Sequence, residues 1–268
     1  MIKNIIRRIL SKFGFEIRRI EGPHARYENF LNLSRAYEYK LNETNDIIIK
    51  NDQRPKLMAR LLGTPPSEAY FIVQALAHCR EIKGDICEFG VAQGETSALI
   101  ANEMMQDENK LLHLFDSFEG LPKPSEKDIL KDDIFQLGSM EAYQGEMSCP
   151  EDMVISRLKA VGFPSKRYRI HKGFIEDVIN NRGVLPQEVS FAYVDFDFYE
   201  PIKVALEFLH EVTPVGAMIV VDDYNYFSTG SKTALDEFLN EKNSGSLIYD
   251  CEIPNEEYGY FAILTRVG

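Results

Sequence analysis

Acidic residues recur where short apolar runs end: Glu88 closes Asp85–Phe89, Asp116 follows Leu111–Phe115, Asp195 follows Phe191–Val194, and the adjacent pair Asp222 and Asp223 follows Ala217–Val221. If the runs are neighbouring strands of an open α/β sheet, their carboxyl ends border one crevice and the carboxylates share it. Asp195, Asp222 and Asp223 would then repel one another and titrate high unless a cation stood between them. A hard divalent ion such as Mg²⁺ takes this oxygen set, so these three residues are the expected metal ligands. Asp197, two residues beyond Asp195, either points into the same crevice or caps the helix beginning near Tyr199. A hydroxyl activated at such a centre needs a proton acceptor, and Asp195 and Asp197 are the candidate catalytic bases.

The segment Glu88-Phe89-Gly90-Val91-Ala92-Gln93-Gly94-Glu95-Thr96-Ser97 reads as a strand end, a glycine turn and a helix start. Gly90 and Gly94 would let backbone approach a ligand closely, and the free N–H groups around Thr96 and Ser97 would face it. Ala92 stands where a dinucleotide fingerprint needs its middle glycine, and Glu88 would repel a pyrophosphate. A carboxylate there suits the cationic methionine part of S-adenosylmethionine instead. Asp116, with Ser117 beside it, is placed to accept hydrogen bonds from ribose hydroxyls. Gly173 and Phe174, after the run Tyr168–His171, are expected to shape an adenine pocket. Tyr224 and Asn225 are expected to border the acceptor.

These side chains require a scaffold, and the pattern supplies one. Alternating strand and helix segments predict a Rossmann-like α/β fold with five parallel strands, and the final runs 247–253 and 258–265, separated by no helix, predict a C-terminal antiparallel hairpin. Pro65, Pro66 and Ser67 open a helix running to Cys79. Residues 27–60 read as polar and irregular. The stretch from Ser117 to about 149 is longer than a βα connection requires and is expected to be a lid, with a helix following over 150–161. The expected organisation is a helix over 1–20, an extension over 21–62 and the nucleotide-binding domain over 63–268.

Residues 1–20 carry six Lys and Arg against one Glu, with Ile2, Ile5, Ile6, Ile9, Leu10 and Phe13 at helical spacing. Such a helix suits either the surface of an anionic membrane or docking on the protein's own body or a second copy in a homo-oligomer. The whole chain of 268 residues carries a net charge of −12, which argues against nucleic acid as the main partner. Four widely spaced cysteines and the lack of a run of about 18 apolar residues lead to an expected cytoplasmic location, at most peripheral at the inner face of the membrane.

Glu88-Phe89-Gly90-Val91 through Gly94, Asp116-Ser117-Phe118-Glu119-Gly120-Leu121-Pro122, Asp195-Phe196-Asp197-Phe198-Tyr199-Glu200-Pro201 and Asp222-Asp223-Tyr224 together resemble the macrocin O-methyltransferase family. The resemblance runs from about Gly63 to the C-terminus. It implies a class I methyltransferase fold, S-adenosylmethionine as methyl donor, Mg²⁺ or another divalent cation, and a hydroxyl of a sugar, glycoside or bacterial surface glycan precursor as acceptor. The metal positions also resemble those of catechol O-methyltransferases, but the lysine which that family carries three residues after its first metal aspartate is here Phe198. A nucleotide-sugar oxidoreductase would need a nicotinamide fingerprint and a Tyr-x-x-x-Lys couple, and neither is evident. A catalytically inactive glycan-assembly scaffold would have no reason to hold three acids together.

Overall fold

The computed structural model describes residues 23–44, 48, 51–107, 109–181 and 183–268. The basic segment 1–20 lies outside these residues. Seven strands form one sheet: β1 (Asp85–Phe89), β2 (Leu112–Asp116), β3 (Tyr168–Lys172), β4 (Val189–Val194), β5 (Met218–Val221), β6 (Tyr249–Glu252) and β7 (Ala262–Arg266). Their spatial order is β3-β2-β1-β4-β5-β7-β6. The first five are parallel, and β7 runs antiparallel to both β5 and β6. This is the expected class I methyltransferase sheet.

The helices are α1 (Pro23–Thr44), α2 (Arg54–Met58), α3 (Pro66–His78), α4 (Glu95–Glu103), α5 (Glu151–Ala160), α6 (Ile175–Asn180), α7 (Tyr199–Val212) and α8 (Gly230–Lys242). Every residue of the central strand β4 is buried, as expected of a parallel strand covered on both faces. One face, with Phe89, Phe115, Val194 and Val221, packs on Ile202, Leu206 and Leu209 of α7 and Leu235 of α8. The other face, with Ile86, Leu114, Tyr193 and Val220, packs on Ile72 of α3, Ile100 of α4 and Leu158 of α5. Among the described residues no helix is long and apolar enough to cross a membrane.

The stretch read as irregular contains the 22-residue helix α1. Its inward stripe is Leu31, Ser34, Glu38 and Leu41, one residue wide and half polar, which hides the helical period. Glu38 is turned inward by Arg54, whose buried guanidinium also pairs with Glu103 at the end of α4. That ion-pair bridge ties the amino-terminal extension to the sheet domain.

The segment between β2 and α5 has a small core of its own, in which Leu121, Met140 and Tyr143 meet Phe198 and Phe227. Its middle is stitched to the loop after β5: the Lys131 N–H donates to the Phe227 carbonyl at 2.7 Å, and the Thr229 N–H donates to the Ile129 carbonyl at 3.0 Å. Asp128 accepts from the Tyr199 N–H at 2.8 Å, capping α7, and a Cβ on Gly230 would overlap the Asp128 carboxylate. The segment is therefore built into the loops that follow β4 and β5.

Candidate active site

In the strand order, β1 leads outward to β2 on one side while its other neighbour is β4, so the crevice opens between β1 and β4, where the direction of winding reverses. A cleft of about 470 Å³ occupies this place. The Asp195 N–H donates to the Phe89 carbonyl at 2.7 Å and the Asp222 N–H donates to the Val194 carbonyl at 2.8 Å, which brings the ends of β1, β4 and β5 to a common level. Gly90 sits at φ +84, and a Cβ there would overlap the Asp195 carbonyl oxygen. Glycine is required at 90 by the protein's own backbone. At Gly94, φ +79, the close neighbour is Val154 of α5, 3.1 Å from where a Cβ would lie.

Five aspartates line the cleft, Asp116 at the end of β2 and Asp195, Asp197, Asp222 and Asp223 beyond β4 and β5. Asp197 and Asp223 hold left-handed backbone angles, φ +62 and +56, a conformation asparagine and aspartate tolerate better than other side chains. Oxygens of Asp195, Asp197 and Asp223 all lie within 4.8 Å of one another. Burial, then mutual repulsion, lifts Asp195 and Asp223 well above the usual carboxylate range, and burial moves Asp197 up to about 6. Three uncompensated carboxyls at this spacing fit a hard divalent cation.

This grouping differs from the sequence expectation in one member. Asp222 lines the cleft, but its Oδ1 accepts the Asp223 N–H at 2.7 Å and its Oδ2 accepts a short hydrogen bond from the Tyr193 hydroxyl. Asp197, with its left-handed backbone, stands in the cluster instead. Asp197 does not cap α7, since Asp128 does so.

Asp116 lines the cleft as expected, yet its carboxylate already serves the protein. Oδ2 accepts from the N–H groups of Val91 at 2.7 Å and Ala92 at 2.9 Å, and Oδ1 accepts from Phe118 N–H at 2.6 Å. It braces the glycine loop against β2. Ser117, Gly173 and Phe174 also line the cleft, and the Gly173 N–H donates to the Asp116 carbonyl.

Glu88, Thr96 and Ser97 do not reach the cleft wall. Glu88 is fully buried in β1, and among the described residues neither of its oxygens accepts a hydrogen bond. Burial pushes its carboxyl up to about 8. Ser97 is buried in the first turn of α4, and Thr96 lies 3.3 Å from the Thr64 hydroxyl. His171 is held by stacking on Phe115 and by a 2.9 Å hydrogen bond with His113, and burial lowers it to about 4.

Of the residues expected near the acceptor, Tyr224 turns away to Asp236 and Lys232, and Asn225 is held by Lys131. Tyr226 faces the cleft instead and stacks on Tyr260 with ring centroids 5.0 Å apart. The opposite wall comes from the inserted segment through Leu121, Ile134, Phe135 and Met147. Sequence reasoning also missed Glu68 of α3, buried against Tyr193 and Asp222 and raised well above its ordinary range by burial and by the neighbouring aspartates. A lone glutamate in an amphipathic helix gives no signal of that kind, whereas Tyr193, two residues before Asp195, shares its face and could have been noticed.

The cleft thus carries a carboxylate cluster that can hold a cation, and burial raises Asp197, one of its members, to about 6. The model of the TylF macrocin O-methyltransferase family matches residues 55–251. A search of curated proteins finds no match. Among solved structures, the O-methyltransferase NovP superimposes with a TM-score of 0.64 at 18% identity, covering 90% of this chain and 100% of its own. CalS11, a calicheamicin methyltransferase, gives 0.59 at 19% identity, with 93% and 95% covered. An apo structure of CalS11, described as a TDP-rhamnose 3′-O-methyltransferase, gives 0.52 at 16% identity, with 93% and 97% covered.

Proposed function

The chain belongs to the macrocin O-methyltransferase family and is an S-adenosylmethionine-dependent O-methyltransferase, and from that premise we propose that it methylates a hydroxyl of a sugar or glycoside with the help of a divalent cation, Mg²⁺ being the natural candidate. The observation that carries the metal is the convergence of Asp195, Asp197 and Asp223 in the cleft. NovP and CalS11 are methyltransferases of similar fold, and CalS11 is described as acting on TDP-rhamnose, which supports a sugar acceptor.

In this reading Asp195, Asp197 and Asp223 would hold the cation, with Asp222 kept beside them by its bond to Tyr193. The ion, when bound, would offset the aspartates' repulsion and make a coordinated hydroxyl more acidic. Asp197 would receive the hydroxyl proton on the carboxylate oxygen it does not offer to the cation, and Asp195 is the alternative base. The new O–CH₃ bond forms as the S–CH₃ bond of the sulfonium breaks, in line, so the walls must hold donor and acceptor face to face. Gly90, Asp116, Ser117, Gly173 and Phe174 line the donor side. Asp116 reaches a ribose only by sharing or releasing amides it now holds. Glu88, fully buried behind the loop and raised to about 8 by burial, takes no place in the cleft wall. Tyr226 and the inserted segment 117–149, which we read as a lid, form the acceptor side.

The test is transfer of a labelled methyl group from S-adenosylmethionine to a panel of free sugars, nucleotide sugars and glycosides, with chelator and then with restored Mg²⁺. The expected result is transfer to a sugar hydroxyl that chelator stops and Mg²⁺ restores. Transfer undiminished in chelator removes the metal, and transfer confined to acceptors without a sugar removes the acceptor class.

A further inference from the structure

Tyr193 is completely buried in β4, two residues before Asp195 and on the same face of the sheet. Its partner in β5 is Val220, two residues before Asp222, so the phenol lies one pleat beneath the acids. Its hydroxyl donates to Asp222 Oδ2. Two further groups stand beside that hydroxyl, Thr64 Oγ1 and Glu68 Oε1, each at 3.3 Å. A phenol has one proton to give, and Asp222 holds the shortest of the three contacts. Because Asp222 Oδ1 accepts the Asp223 N–H, both oxygens of Asp222 are fixed: one by β4 from below, the other by the backbone of the next residue, whose side chain belongs to the cation-holding cluster.

We propose that Tyr193, with Thr64 and Glu68 beside it, is the positioning residue that orients Asp222 and, through the Asp223 amide, sets how tightly the aspartate cluster holds a divalent cation; this rests on the metal-dependent reading above. A buried hydroxyl with a purely structural role would need only one partner, and Thr64 or Glu68 could serve. The bond to Asp222 instead makes the cluster's geometry depend on a residue outside the cleft. Groups that orient metal-binding side chains in this way typically change metal affinity about 10- to 100-fold when removed.

The test uses the full chain and Mn²⁺ as probe, with free Mn²⁺ followed by electron paramagnetic resonance and S-adenosylmethionine binding measured separately by calorimetry. Tyr193→Phe keeps the ring that packs on the sheet and removes only the hydroxyl. It is expected to weaken Mn²⁺ binding about 10-fold or more while leaving S-adenosylmethionine affinity unchanged. Glu68→Gln, which leaves β4 untouched, is expected to shift Mn²⁺ affinity in the same direction by a smaller factor and guards against a folding defect in the first variant. Wild-type Mn²⁺ affinity in Tyr193→Phe, whatever Glu68→Gln does, overturns the proposal alone. A wild-type chain that binds no Mn²⁺ overturns the metal-dependent reading together with it.

Discussion

The two halves of the cleft handle negative charge in opposite ways. On the β1–β2 side, Asp116 is saturated by three backbone N–H groups and Glu88, buried with no hydrogen-bond partner among the described residues, is pushed toward its neutral form, so neither acid calls for a cation. On the β4–β5 side, Asp195, Asp197 and Asp223 crowd together with their carboxyls raised and two of their backbones left-handed. One half is finished by folding, and the other is left dependent on a cation. Where a protein crowds several acids against one another, it stores a repulsion that a bound cation can relieve.

The largest expected effect comes from breaking the join between the halves. Gly90→Ala places a Cβ on the Asp195 carbonyl and forces alanine to φ +84, so denaturant unfolding should show a loss of roughly 4 kcal/mol or more, or no folded protein. A loss below about 1 kcal/mol would mean that the halves are not locked through this contact.

Next in size is the cation side. Asp223→Asn should lower methyl transfer by roughly 10²-fold or more. In metal-free buffer the same variant should be more stable than wild type, by about 1 kcal/mol, because one repelling acid is gone. A less stable metal-free variant would contradict the account of crowding.

The smallest effect tests the finished side through pH. Glu88 binds its proton more tightly folded than unfolded, with its carboxyl raised to about 8. Between its unfolded value, about 4.3, and about 8 the folded state therefore holds the extra proton. Glu88 accordingly subtracts stability as pH rises through that window. Glu88→Gln should remove this slope, so its melting temperature relative to wild type should climb from pH 5 to pH 8. A constant difference across that range would show that Glu88 is not held neutral.

Much of this was legible because strand ends are marked chemically. Apolar runs closing on acids placed β1, β2, β4 and β5 and brought Asp116, Asp195, Asp222 and Asp223 to one crevice. What escaped depends on partners distant in sequence. Helix α1 was hidden because Glu38 faces inward only to meet Arg54. The exchange of Asp222 for Asp197 in the cluster goes with one hydrogen bond from Tyr193 and one left-handed backbone angle, neither of which spacing encodes. Gly90 was singled out for close approach to a ligand, whereas its close neighbour in the structure is the protein's own chain.

The stitch from Asp128 through Lys131 also bears on how this enzyme could be given a new acceptor. Residues 125–131 share hydrogen bonds with the loops that carry the aspartates, so variation there would disturb the reacting centre along with the pocket. Ile134, Phe135 and Met147 face the cleft from beyond that stitch. Directed evolution of acceptor scope should therefore accumulate its useful changes at these wall positions and leave 125–131 intact.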